Sequence, residues 1–174
     1  SSSSIINSNF LELSENQQTI INKVKNNYPS FDIIKNKLEN LKNKKILIIG
    51  ETIIDEYIFC EALGKASKDL NINLKKISAE KFPGGVLAIA RNLQEYCSKI
   101  DILSFIGNKK DHLNFIKSKL NKNVNFDYII KKNSSTIIKT RFVDIIDNIK
   151  LLGVYNFNDE ELESKEEKDL FRKI

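Results

Sequence analysis

The sequence predicts a layered α/β fold with a parallel sheet at its centre, on three observations. Residues 44–50 (Lys-Lys-Ile-Leu-Ile-Ile-Gly) are a short apolar run behind two lysines and ended by glycine, the pattern of a strand covered on both faces. Runs of the same kind follow at 100–107 and near 126–130. The stretches between them, 86–97 and 111–120, carry apolar residues at helical spacing, and strand alternating with helix is the order of a parallel sheet with crossovers. A chain of 174 residues, 41% apolar and 29% charged, has the material for one such core.

Taken in order, residues 1–43 read as a polar, helical lead-in and 44–174 as the layered domain. A first helix over 17–28 presents Ile20, Ile21 and Val24; Pro29 ends it, and Ser30 caps a second whose apolar residues are Phe31, Ile34, Leu38 and Leu41. Between the first buried strand and its helix, residues 56–63 and 72–82 read as two strands around a polar loop. The helix over 86–97 places Val86, Ile89, Ala90, Leu93 and Cys97 on one face, and that over 111–120 places Leu113, Ile116 and Leu120. Residues 136–143 and 149–157 form a hairpin across Asp147-Asn148, and a charged helix over 159–173 takes Asp159 as its cap. The two inserted strand pairs are less apolar than the central strands, as expected of a sheet with one face in solvent or over a ligand.

Composition narrows the function. No apolar run reaches the roughly 20 residues that span a bilayer, and Ser1–Ser4 do not start a secretory signal, so no membrane is expected. Cys60 and Cys97 form no CxxC pair, which predicts neither a zinc site nor a disulfide framework, and a reducing cytoplasm is the simplest compartment. The net charge of +5 rests on 25 lysines and three arginines spread among 23 acids. A chain so poor in arginine, the residue with the bidentate fork, reads as a solvated surface rather than a nucleic-acid face.

Neither GxGxxG nor GxxxxGK[ST] occurs. The only histidine, His112, sits early in a lysine-rich helix and reads as solvent-exposed; Cys97 reads as packed core. Two places suggest a ligand. In Gly50-Glu51-Thr52-Ile53-Ile54-Asp55, polar residues follow the carboxyl end of a buried strand, where open α/β sheets bind ligands. In Phe82-Pro83-Gly84-Gly85-Val86, paired glycines open a helix, so the backbone can approach a ligand and the first free N–H groups can face it. Each also has a plain structural reading, a capped loop for Asp55 and a tight turn for the glycines; their pairing across a strand-rich insertion is what points to a site.

These residues resemble the PfkB, or ribokinase-like, carbohydrate kinases, nearest to the heptose-phosphate kinase branch. The matching features are the apolar strand leading into Gly-Glu and then Asp55, the lid strands, Gly84-Gly85, the strand ending at Gly107, and Ile138-Lys139-Thr140-Arg141. The resemblance covers roughly residues 44–174. It implies a truncated, three-layer Rossmann-like ribokinase fold with a small four-stranded β lid, and transfer of the γ-phosphoryl group of ATP, with Mg²⁺, to a hydroxyl of a sugar or sugar phosphate. Asp55 would accept hydrogen bonds from the sugar hydroxyls, Gly84 and Gly85 would let the sugar sit against the helix start, and Lys139 and Arg141 would face the substrate or its phosphate, a role left open against one on the sheet surface. A homodimer through the lid is the further expectation.

The departures matter as much. Ala88 stands where many members have asparagine; Lys65-Ala66-Ser67-Lys68-Asp69 resembles the lid loop of the heptose kinases without its proline; and the usual arginine and aspartate of the last lid strand are replaced around 153–155. The family's Gly-Ala-Gly-Asp segment, which carries the catalytic base and most of the ATP site, has no match after Lys150, so the chain is expected to supply the acceptor side only. The alternative is a non-catalytic sugar-binding or dimerisation module derived from the kinase fold. Ser1-Ser2-Ser3-Ser4-Ile5-Ile6 is similar to the endings of cytidylyltransferase-like domains, which implies that 1–43 is the tail of an upstream domain of that kind, unless the serines are a tag remnant.

Overall fold

The computed structural model describes residues 13–65, 72–109, 112–157 and 159–174. The chain divides into two compact units, residues 1–43 and 44–174. In the first, α1 (Glu15–Asn27) begins two residues before the predicted start because Ser14 builds a capping box. Its hydroxyl accepts from Gln17 N at 3.3 Å, and Gln17 Oε1 accepts from Ser14 N at 2.9 Å. Ser30 caps α2 (Phe31–Leu41) as expected, accepting from Asp32 N at 3.1 Å.

The second unit is organised by one long strand, β1 (Lys45–Lys65). Residues 45–51 pair in parallel with β3 (Lys99–Gly107), which pairs in parallel with β4 (Val124–Lys131). From Thr52 onward β1 pairs antiparallel with β2 (Ile72–Gly85), and from Ile53 onward it runs parallel to β5 (Ile137–Asp144), which carries β6 (Lys150–Asn156) antiparallel on its far side. The chain therefore does not stop at Gly50: one strand runs from the central sheet straight into a four-stranded lid of order β2-β1-β5-β6.

Helix α3 (Val86–Leu93) follows β2 directly, α4 (Leu113–Ser118) follows β3, and α5 (Ser164–Lys173) follows the lid. Val86 packs against Gly50, so α3 lies on the Gly50 face of the central sheet. Lys173 of α5 reaches Asp127, whose register partners, Leu103 and then Ile49, point the opposite way. Helices on both faces make three layers, the expected α/β architecture. The core is Ile48, Ile100, Ile102 and Ile106 under Val86, Leu87 and Ala90, with Ile116 from α4 also fully buried. No helix among the described residues is long and apolar enough to cross a membrane.

Four expectations are corrected. Leu47 and Ile49 are 51% and 46% exposed, so the first strand is not covered on both faces; α5 lies against β4, and residues 45–51 form an edge of the central sheet. In α3 it is Leu87 that is buried and Ile89 that is half exposed, because a helix confined to residues 86–93 turns Val86, Leu87 and Ala90 toward the sheet. The last helix starts at Ser164 under a capping box of Glu163 and Glu166, and Asp159 lies outside it. His112 is half-buried at the N-cap of α4 with φ 70° and is not a freely exposed side chain. The β5–β6 hairpin is where it was expected, with Asn148 left-handed at φ 53°. Residues 66–69 and 1–6, which carry the lid-loop and lead-in motifs, lie outside the described residues.

Candidate functional site

The site is built where β1 crosses from sheet to lid. Thr52 and Ser104, both buried, face each other at 2.7 Å between oxygens, and Ser104 Oγ donates to Gly50 O at 2.7 Å. A hydroxyl has one proton, so Thr52 must donate to Ser104, and this chain of bonds pins the crossing point. Three residues on, Asp55 sits inside the strand rather than in a loop, in register with Phe82 of β2 and Lys139 of β5.

The glycine pair explains how the carboxylate fits. A Cβ at Gly84 would overlap Asp55 Oδ2, and one at Gly85 would overlap the carbonyl of Glu51. Gly85 also has a positive φ (55°) and serves as the N-cap of α3, so no side chain caps the first amides of the helix. Asp55, Gly84 and Gly85 are therefore brought together. Ala88 lies half-buried on the first turn of α3.

Alternation along the strands places Asp55, Tyr57 and Phe59 on one face of the lid, and the register adds Lys139, Arg141 and Val143. Arg141 reaches diagonally across to Asp55: its Nη1 donates to Oδ1 at 2.5 Å, with both side chains largely shielded. The guanidinium lies 5.4 Å from the ring centre of Tyr57 and 5.9 Å from that of Tyr155, and Lys139 Nζ stands 5.8 Å from the Tyr155 ring. The carboxylate beside it makes the Arg141 proton still harder to remove than usual. Gly153 is opposite Arg141, and a side chain there would press on the Tyr155 hydroxyl at 3.3 Å, so the glycine leaves room for the ring. The unusual residues of the last lid strand thus act as a pair.

Beside this cluster runs a groove of about 510 Å³ lined by Asp55, Tyr57, Phe59, Phe82, Val143, Asn148 and Lys150. Tyr57 meets Phe82 edge to face at 5.7 Å. Lys139 and Lys150 border the same face and neither has an ion pair among the described residues; Glu80, opposite Tyr57, is a second acid on that face. Sequence reasoning missed Tyr57, Phe59 and Lys150; the period-two spacing of Asp55, Tyr57 and Phe59 was the available signal, legible only once 56–63 is joined to the strand before it. The described residues hold no cluster of three or more His, Cys, Asp or Glu fit for a metal ion.

No family model matches the chain. Among curated proteins, an uncharacterized sugar kinase of Buchnera aphidicola subsp. Schizaphis graminum is 31% identical over 114 residues, 63% of this chain and 35% of the relative, so the chain spans about a third of that protein's length. Among solved structures, a protein provisionally assigned as a 1-phosphofructokinase from Thermotoga maritima superposes with TM-score 0.56 at 14% identity, over 75% of this chain and 40% of that one. A protein provisionally assigned as a sugar kinase from Clostridium perfringens gives TM-score 0.52 at 15% identity, over 75% and 40%. The superpositions show that the chain shares the fold of these proteins, and the sequence match is to a sugar kinase, in line with the resemblance to the PfkB, ribokinase-like carbohydrate kinases.

Proposed function

We propose that this chain forms the acceptor-binding half and lid of an ATP-dependent kinase of a sugar or sugar phosphate. The observation that carries the reading is the placement of Asp55 over Gly84, next to the glycine that starts α3 and among Lys139, Arg141 and Lys150. Asp55 accepts hydrogen bonds from sugar hydroxyls, the glycines let the ring approach, and the cations receive an anionic substituent. The lid closes over the acceptor and excludes water that would otherwise take the phosphoryl group. ATP and Mg²⁺ would supply the transferable group and its charge neutralisation when bound. In this reading the protein works in the cytoplasm, and residues 1–43 are the tail of an upstream cytidylyltransferase-like domain.

The test is calorimetric titration of the full-length protein with a sugar phosphate, wild type against Asp55→Ala. The variant is expected to lose about 1–3 kcal/mol of binding, the cost of leaving hydroxyl partners unpaired. Equal affinities remove Asp55 from the site and with it the residue-level basis of the reading.

A second reading, a non-catalytic module that binds sugar or pairs through its lid, is favoured by the lid's outer strand. Leu152 and Val154 of β6, which point away from the Asp55 face, are 54% and 52% exposed. Lid pairing predicts a dimer by light scattering that Leu152→Glu reduces to monomer; a monomeric wild type excludes it.

A further inference from the structure

We propose that Arg141 is a specificity-determining residue that locks Asp55 against neutral acceptors and releases it to anionic ones. The proposal rests on the reading of Asp55 as the hydroxyl acceptor. That carboxylate is not idle: Arg141 Nη1 is bonded to its Oδ1, and Oδ2 faces Gly84. The guanidinium is held from leaving by the rings of Tyr57 and Tyr155, and the side chain that would otherwise crowd Tyr155 is absent at Gly153. A neutral polyol must compete for Oδ1 with an ion pair charged on both sides, whereas its own hydroxyl bond to the carboxylate is charged on one side only, and so it binds poorly.

A phosphate or carboxylate on the ligand changes the balance. It offers Arg141 a bidentate partner in place of the single bond to Asp55, with Lys139 and Lys150 on the same face adding attraction. Drawing Arg141 onto the ligand anion leaves Asp55 with unpaired acceptor capacity, which the ligand's hydroxyls then fill. Anion and hydroxyl recognition are thereby coupled, and by linkage each must strengthen the other. Attraction to the two rings does not occupy the guanidinium N–H groups in hydrogen bonds, so Arg141 can stay beside Tyr57 and Tyr155 while those groups change partner.

The experiment titrates the full-length protein with D-ribose and with inorganic phosphate, separately and together. In wild type, saturating phosphate is expected to raise ribose affinity about tenfold, the scale of one charge-assisted bond exchanged. Arg141→Gln is expected to bind ribose about tenfold more tightly than wild type without phosphate and to show no phosphate effect. Asp55→Asn is expected to bind phosphate more tightly than wild type, since the competing carboxylate charge is gone. The lock is overturned if phosphate leaves wild-type ribose affinity unchanged, or if Arg141→Gln, folded by its melting curve, binds ribose no better. Should no form bind ribose, the acceptor reading fails; phosphate affinity in Asp55→Asn against wild type then judges the lock alone, tighter binding sustaining it and equal binding ending it. Arg141→Lys, which keeps the charge but loses the fork, stands in if the glutamine variant does not fold.

Discussion

At the scale of single residues, two glycines separate by what their missing Cβ would meet. At Gly84 the obstacle is the far end of the Asp55 side chain, which can swing away at the expense of its pairing with Arg141. Gly84→Ala should therefore cost about 1 kcal/mol in chemical denaturation while disturbing the site. At Gly107 the obstacle is backbone, the amide of Thr136 and the body of Ser135, and nothing there can rotate out of the way. Gly107→Ala should cost more than about 3 kcal/mol, a ranking that reverses if the 134–136 loop shifts freely. Asp144 tests the lid turn by pH. Its carboxylate accepts from the backbone N–H groups of Asp147, Ala62 and Ile146, and these bonds hold its pKa below the usual 3.8. A depressed folded pKa means a contribution fully present above 3.8 and lost as pH falls through the lower folded value. Asp144→Asn should thus melt well below wild type at neutral pH, with the gap closing under strong acid. A gap that is independent of pH would assign the effect to shape rather than to charge.

At the scale of elements, the crossing of β1 is the joint on which the lid depends. Thr52 and Ser104 form one buried hydrogen-bonded unit with Gly50 O, while Gly107 N donates to Thr136 Oγ1 at 3.1 Å where β5 begins. Ser104→Ala strands both the Thr52 hydroxyl and the Gly50 carbonyl and should cost about 1–3 kcal/mol; Thr52→Val leaves Ser104 still bonded to Gly50 and should cost less. Because the two act as a unit, the double variant should fall short of the sum of the singles in a denaturant cycle. Strict additivity would show that the hydroxyls stabilise β1 independently.

At the scale of the whole molecule, the edge of the central sheet governs behaviour in solution. Residues 45–51 pair on one side only, and Leu47 and Ile49 stand half exposed along them. An open apolar edge invites association, so the 174-residue chain should self-associate by light scattering and Leu47→Lys should suppress it. Unchanged association in the lysine variant would move the sticky surface to the lid.

What the sequence determined by itself is what local pattern encodes: the parallel strands as apolar runs, the hairpin at Asp147-Asn148, the cap at Ser30, and the nearness in kind of Asp55, Gly84-Gly85 and Lys139-Thr140-Arg141. Strand and helix periods, turn residues and glycine pairs are properties of neighbours in the chain, and neighbours are visible in it. What only the tertiary structure decided was set by pairing between distant segments. Whether Ile49 is covered depends on where α5 packs, and whether Asp55 ends a strand or lies inside one depends on β2 and β5 offering it partners. That Arg141 turns toward Asp55, and that Gly153 makes room for Tyr155 against it, follows from a register joining positions 86 residues apart in the chain, a relation no local pattern carries.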